Sequence, residues 1–286
     1  MKFPAFEYAA PATLAEAVSL LAAGRGTAKV LAGGQSLLPT MAFRLAAPSM
    51  LVDICKLKEL QKITIGRDGV RLGARARWRD IEDDERLQTA HPLLCAAIEH
   101  VAHYQIRNRG TVGGSLAHAD PAAEMPGIAV TCDAQIKVLG SKGERVIPAG
   151  QFFTGALSTT LADDEIIVEV RLPAWPAKRR WGFQELSRRR GDFALAGIAA
   201  FYDGDASGKA MNAHIGVIGA CIRPHRIAQA EKALNGRVVD ETAIQATARA
   251  AEEALDPPSD LHASAAYRRS LAGTLLERAL QHAAKT

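Results

Sequence analysis

Apolar positions first mark a helix that carries its own start signal. Thr13 and Glu16 stand at capping-box spacing, and Leu14, Ala17, Val18 and Leu21 recur on one face until Gly24 and Gly26 interrupt it. The run Lys29-Val30-Leu31-Ala32 then predicts a strand that ends at Gly33-Gly34-Gln35-Ser36. Past the glycines, Leu37, Met41 and Leu45 fall at i, i+4 and i+8, the buried stripe of a short helix. The expected unit is strand, glycine turn, helix. Leu51-Val52-Asp53-Ile54 predicts a second strand, and Gly66-Arg67-Asp68-Gly69 predicts the turn of a hairpin between Ile63-Thr64-Ile65 and Val70-Arg71-Leu72-Gly73. A mixed sheet is expected.

A helix over about 92–102 precedes a second glycine turn, Thr111-Val112-Gly113-Gly114-Ser115, and Asp120-Pro121 reads as an N-cap followed by proline at the first helical position. Strands are expected at 135–139, 145–147 and 165–172, and Pro173-Ala174-Trp175-Pro176-Ala177 marks a domain edge. Beyond it, strands near 193–201 and 210–218 lead into amphipathic helices near 226–234, 241–255 and 265–283, the pattern of a small α+β domain.

Composition narrows the function classes. A length of 286 residues suits two or three packed units, and 48% hydrophobic with 23% charged residues is globular. The net charge of +4 comes with dense basic runs only at Lys178-Arg179-Arg180 and Arg188-Arg189-Arg190, and 5% aromatic residues leave no interleaved basic stripe, which argues against nucleic acid. Cys55, Cys95, Cys132 and Cys221 form no CxxC pair, so neither an iron–sulfur nor a structural zinc site is expected in this chain, and a reducing compartment suits them. The N-terminal stretch lacks a signal-peptide apolar run and no segment reaches membrane-spanning length, so the expected location is the cytoplasm.

The chemistry is sought at the glycine pairs. Gly33-Gly34 and Gly113-Gly114 let the main chain approach a ligand closely and aim successive N–H groups at an anion, with Ser36 and Ser115 adding hydroxyls. Either pair alone reads more readily as a tight turn; two together point to a ligand. Neither is a G-x-x-x-x-G-K-[ST] loop and no G-x-G-x-x-G is present, so amides rather than a lysine would hold the anion. His100 and His103 beside Glu99 lack the H-E-x-x-H order and a third ligand, which favours a helix face over a metal site. His118 receives no role. Ser36 and Ser115 sit in no G-x-S-x-G, and the acidic runs 82–85 and 163–165 read as solvated turns or helix starts.

Ala32-Gly33-Gly34-Gln35-Ser36-Leu37-Leu38-Pro39 and Thr111-Val112-Gly113-Gly114-Ser115 resemble the two flavin-binding motifs of the medium subunit of carbon monoxide dehydrogenase and its relatives, the FAD-binding subunits of molybdenum hydroxylases. The likeness runs through Ala119-Asp120-Pro121-Ala122-Ala123-Glu124, Phe183-Gln184-Glu185, Arg188-Arg189-Arg190-Gly191-Asp192-Phe193-Ala194 and the stretch from Asp260 to Arg269. It implies an α+β chain. A two-part PCMH-type FAD-binding domain, a small α/β subdomain at 1–55 plus a larger mixed-sheet subdomain at 56–176, would precede a C-terminal α+β domain at 177–286 with an antiparallel sheet and helices.

The resemblance further implies that Ala32, Gly33, Gly34, Gln35, Ser36 and Leu37 with Thr111, Gly113, Gly114 and Ser115 wrap the FAD pyrophosphate. Asp120 is a further expected cofactor-binding residue. Glu124 would contact the sugar-like region of the cofactor, Leu161 would offer its backbone to the isoalloxazine ring, and Phe193 would stand near that ring. Phe193 replaces a tyrosine, Ser115 an asparagine and Glu185 a lysine common among relatives, which alters the expected contacts and the local field. No catalytic acid or base is required, since the flavin carries the chemistry. The molybdenum cofactor and two [2Fe-2S] clusters would lie in a large and a small partner subunit, in a heterotrimer that pairs into a dimer of heterotrimers. The hydroxylated substrate would bind in another subunit. Two rivals stand against this reading. A stand-alone FAD-dependent oxidase or reductase would turn over a substrate by itself, and a docking protein without cofactor would be colourless.

Overall fold

The structure, a computed structural model, describes residues 2–285; Met1 and Thr286, the outer limits of the expected first and last units, lie outside the described residues. The chain opens with β1 (Glu7–Ala9), α1 (Leu14–Ala23), β2 (Ala28–Leu31), α2 (Leu37–Ala42) and β3 (Met50–Asp53), whose strands form a parallel sheet in the order β1-β3-β2. Helix α1 starts as its sequence predicts: Thr13 Oγ1 accepts from the Glu16 amide at 3.2 Å, and the Glu16 carboxylate accepts from the Ala12 amide at 2.9 Å. Ala17, Val18 and Leu21 are buried against Val52 and Leu57.

Helix α2 is shorter than its apolar spacing predicts. Arg44 takes a φ of +59° and the Leu45 amide donates to Thr40 O at 2.9 Å, which ends the helix at Ala42. Met41 is therefore buried while Leu45 is 81% exposed, so Leu45 does not join the stripe.

The second region contains β4 (Ile63–Gly66), β5 (Gly69–Gly73), α3 (Trp78–Glu82), α4 (Arg86–Ala90), α5 (Pro92–Ile98), α6 (Tyr104–Arg107), α7 (Val112–His118) and α8 (Glu124–Thr131). It continues through β6 (Gln135–Gly140), β7 (Gly143–Pro148), α9 (Ala149–Phe152), β8 (Phe153–Gly155), β9 (Ser158–Thr159) and β10 (Ile166–Pro173). Its main sheet, β4-β5-β10-β6-β7, is antiparallel at every pairing; the mixed character of the first two regions comes from joining it to the parallel sheet. The helix expected at 92–102 ends at Ile98, and a turn separates it from the short helix α6. Ala102 takes a φ of +40°, and Arg107 donates to Val101 O and Ala102 O at 3.1 and 3.3 Å, holding the break open. His100 and His103 accordingly lie off the helix face expected for them.

Helix α7 places Gly113 and Gly114 in its first turn, preceded by a bridge between Thr111 and Arg77 rather than by a strand. Pro121 starts no helix: Asp120 Oδ1 accepts from the Ala122 amide at 2.8 Å in a turn, and α8 begins at Glu124.

The last region is an antiparallel sheet of β11 (Arg180–Leu186), β12 (Ala196–Gly204), β13 (Ala210–Ile218) and β14 (His225–Arg226), backed by α10 (Ala228–Leu234), α11 (Glu241–Ala254) and α12 (Ala265–Lys285). Strand β11 escapes the alternation rule because Gly182 occupies a core-facing position: a side chain there would lie 2.7 Å from the Ala279 carbonyl carbon of α12. Both faces of this sheet are covered. Phe183, Ala199, Phe201 and Ile218 join the core of the second region, while Ile198, Ala200, Leu276 and Leu280 form a core with α12. Glycine 127 of α8 packs directly on Ile218. The seam between the last two regions is thus a packed interface.

Candidate functional site

Strand β2 delivers the chain to Gly33 and Gly34, where Gly34 takes a φ of +73° that a side-chain-bearing residue rarely adopts. The Leu38 amide donates to Gly34 O and the Thr40 amide to Ser36 O, which winds the loop into α2. Gln35 Nε2 donates to Gly33 O at 2.8 Å and braces the turn from within. Among the described residues, the amides of Gly33, Gly34, Gln35, Ser36 and Leu37 have no acceptor. Such a row of unpaired donors is the local signature of an anion seat.

The second loop is built differently. The Val112 amide donates to Ala76 O at 2.9 Å, the Gly113 amide to Ala74 O at 2.8 Å and the Gly114 amide to Thr111 Oγ1 at 3.1 Å. Thr111 thus caps α7. Gly113 is glycine because a Cβ would sit 2.9 Å from Ala74 O and 2.7 Å from Ala74 Cβ. These glycines allow close packing; they do not leave open donors.

The loops meet. A Cβ on Gly33 would lie 2.7 Å from the Arg109 carbonyl carbon and 3.0 Å from Gly110 Cα, and one on Gly114 would lie 3.9 Å from Ala32 Cβ. Residues from 32 to 37 and from 109 to 115 therefore form one surface, with the open amides on its first half. The seat fits a pyrophosphate, which needs main-chain donors and close backbone approach.

The other expected residues are joined to this surface by main-chain contacts. Helix α7 carries the chain from the second loop to Asp120, and the Leu157 amide donates to Ala119 O at 3.0 Å, bringing the segment of Leu161 alongside. Leu161 is half-buried and its own amide donates to Thr159 Oγ1 at 3.3 Å. The Gly219 amide donates to Pro121 O at 2.8 Å, and a Cβ on Gly219 would lie 2.5 Å from Ala194 O. Phe193, next along the chain, is 64% exposed beside this junction. The next two residues, Ala194 and Leu195, are buried.

Two residues behind this junction were not singled out from sequence. Arg268 of α12, almost wholly buried, donates from Nη1 to Leu195 O at 2.7 Å and Gly219 O at 3.1 Å, and from Nη2 to Asp260 at 2.6 Å. Its guanidinium holds the Asp260 carboxyl down at about 2. Gly219 takes a φ of +71° against Ala194. The Asp260–Arg269 stretch was the available signal, and the contacts explain it.

Glu124, at the start of α8, is buried, and burial raises its pKa, with Asp120 adding to the rise. The Glu185 side chain is 2% exposed and its Oε2 has no hydrogen-bond partner. Burial, then the charge of Glu124, raises its pKa too. His100 lies with Nδ1 3.8 Å from Glu185 Oε1 and its ring centroid 5.0 Å from that of Phe183. His103 instead packs under Gly191. No group of three or more potential metal ligands occurs among the described residues. Cys132 and Cys221 are buried and their thiols are pushed up to about 12 by burial, which makes them poor ligands and nucleophiles. No helix among the described residues is long and apolar enough to cross a membrane.

Comparison with known proteins bears on this geometry. Residues 4–175 match the family of the FAD binding domain in molybdopterin dehydrogenase, and residues 181–283 match the CO dehydrogenase flavoprotein C-terminal domain. The chain is 38% identical over 283 residues to the nicotine 6-hydroxylase medium subunit of Paenarthrobacter nicotinovorans, covering 99% of each chain. Among solved structures, it superposes on quinoline 2-oxidoreductase from Pseudomonas putida 86 with a TM-score of 0.94 at 40% identity, covering 100% of this chain and 99% of that one. Carbon monoxide dehydrogenase from Hydrogenophaga pseudoflava gives a TM-score of 0.96 at 38% identity, covering 99% of this chain and 98% of that one. With both of its halves matched in order and its fold shared end to end, the chain belongs to the family of FAD-binding subunits of molybdopterin dehydrogenases.

Proposed function

We propose that this chain is the electron-transferring FAD subunit of a molybdenum hydroxylase, working between an iron–sulfur partner and an external acceptor. The observation that carries the reading is the row of unpaired amides at Gly33–Leu37 lying against the second glycine loop. In this reading those amides hold the pyrophosphate, while Ala32, Thr111, Gly113, Gly114 and Ser115 shape the wall beside it. Asp120 adds a further cofactor contact, Glu124 faces the sugar-like region, Leu161 borders the ring and Phe193 stands near it. When bound, FAD supplies exchange of electrons singly or in pairs. The protein's part is to seat the cofactor, fix the ring's orientation and set its electrostatic surroundings.

The assembly proposed is a large subunit with the molybdenum cofactor, a small subunit with two [2Fe-2S] clusters and this chain, paired as a dimer of heterotrimers in the cytoplasm. The proposed division of the chain is 1–55, 56–176 and 177–286, which agrees with its three main sheets. Purification of the tagged chain from its native host tests the proposal. The expected result is a yellow complex with two further subunits, molybdenum and iron, that reduces a dye acceptor. A colourless chain would overturn the flavin reading, and a yellow chain that turns over substrate without partners would make it a stand-alone oxidase or reductase.

A further inference from the structure

FAD has two arms leaving its pyrophosphate, and the residues placed so far attend to one of them. Asp120, Glu124, Leu161 and Phe193 all belong to the second and last regions. The open amides of Gly33 to Leu37 belong to the first region, and nothing beside them has yet been given to the adenosine arm.

In an open sheet of parallel strands a ligand binds in the crevice outside the carboxyl ends, where the connections diverge to either side. The small sheet has this form. Its order is β1-β3-β2, so the chain crosses from β1 by way of α1 to β2 and returns by way of α2 to the central strand β3. The carboxyl end of β3 carries Asp53. Asp53 pairs with Leu31, two residues ahead of Gly33, across a strand spacing of about 5 Å. Its carboxylate therefore stands beside the point where the chain leaves β2 for the open amides. In dinucleotide folds an acidic residue at the end of the second strand, about 20 residues beyond the glycines, accepts from a hydroxyl of the adenosine ribose. The glycine spacing of that fingerprint is absent here, but the unit of strand, glycine turn, helix and strand ends in the same way, on a carboxylate.

The carboxylate is held from two sides. Asp53 Oδ1 accepts from the Cys55 amide at 2.8 Å, which caps the short turn Ile54–Lys56, and Oδ2 accepts from the Tyr8 hydroxyl at 2.6 Å. Tyr8 comes from β1, on the flank of β3 away from the glycine loop. A cap needs one oxygen and is served as well by Asn, Ser or Thr. The Tyr8 bond has no part in capping. It fixes the second oxygen, and each oxygen keeps a further lone pair for a donor. A carboxylate repels phosphate oxygens and favours hydroxyl donors, so this position suits the sugar beside a diphosphate and not the diphosphate itself.

We propose that Asp53, oriented by Tyr8, anchors the ribose of the adenosine half, accepting from its 2′- or 3′-hydroxyl while the diphosphate rests on the amides of Gly33 to Leu37. The assignment rests on the FAD reading above. The ligand class it defines is a ribonucleoside 5′-diphosphate, and a sugar stripped of both hydroxyls is the analogue that the site discriminates against.

Calorimetry on the full chain freed of flavin tests this, with ADP, 2′,3′-dideoxy-ADP and FAD as probes. Wild type should bind ADP about tenfold more tightly than the dideoxy compound, the worth of one hydrogen bond to a charged group. In D53N, whose side-chain oxygen can still cap the turn, the two nucleotides should bind within about twofold of each other and FAD should weaken about tenfold. Wild type that holds FAD but binds the two nucleotides alike, or binds neither, would overturn the proposal, and this is read without the variant should D53N fail to fold. Tenfold discrimination that survives in D53N would overturn it as well, because the hydroxyls are then read by another group. Wild type that takes up no FAD would instead mark the failure of the flavin reading, and the ribose anchor would fall with it.

Discussion

In the first glycine loop the amides of Gly33 to Leu37 lack internal acceptors, whereas in the second those of Val112, Gly113 and Gly114 donate to Ala76, Ala74 and Thr111. The sequences look alike, yet glycine serves different needs. In the first loop Gly34 supplies a left-handed turn and Gly33 lets Arg109–Gly110 approach; in the second, Gly113 lets α7 pack on Ala74. One loop presents donors and the other holds the first in place. A Gly-Gly pair therefore signals that a Cβ is forbidden, and only the hydrogen-bond partners say whether the reason is a ligand or a neighbour.

The sharpest way to break this contrast is at Gly33. Gly33→Ala forces the loops apart and disorders the amide row, so FAD affinity should fall about 100-fold, the loss of one or two charge-assisted hydrogen bonds. Flavin absorbance per chain after gel filtration measures it, and undiminished flavin content would mean the row is not the seat. Gly113→Ala should act on folding instead. The overlap with Ala74 destabilises by about 1–3 kcal/mol as in other overpacked sites, with FAD affinity kept within about threefold once folded. Denaturant melts with matched FAD titrations check this, and a flavin loss as large as that of Gly33→Ala would erase the distinction between the loops. The smallest effect is expected from Thr111→Ala, which removes the cap of α7 and should cost about 1 kcal/mol. A thermal melt lowered by a few degrees, with flavin content unchanged, is the expected outcome.

Much of the scaffold is legible along the chain because its cues are local. The capped start of α1, the 66–69 hairpin, β13 and the three closing helices follow from periodicity and turn residues, and they form near the expected positions. Where the reading departs from the fold, left-handed residues and side-chain bonds that periodicity does not report decide. Leu45 keeps helical spacing but the chain reverses at Arg44; the 92–102 helix stops at Ile98, ahead of the left-handed Ala102; Asp120-Pro121 makes a turn because the Asp120 side chain bonds two residues ahead. Strand β11 was invisible since Gly182, opposite α12, breaks its pattern. At the site, the glycine pairs were readable as a family motif, but the roles of Arg268 and Gly219 were not, because the carbonyls they bond, Leu195 O and Gly219 O for Arg268 and Pro121 O for Gly219, lie far away in sequence.

The amino-acid order alone determines the two glycine loops, the chemistry their amides offer and the membership in a flavin-binding family, since these depend on neighbours a few residues apart. Only the tertiary structure decides which loop keeps its donors open, that Gly33 rests on Arg109, and that the Glu185 side chain is buried with its Oε2 unpaired. The reason is physical: hydrogen-bond satisfaction and desolvation are properties of the surroundings in space, and those surroundings come from parts of the chain far away in sequence.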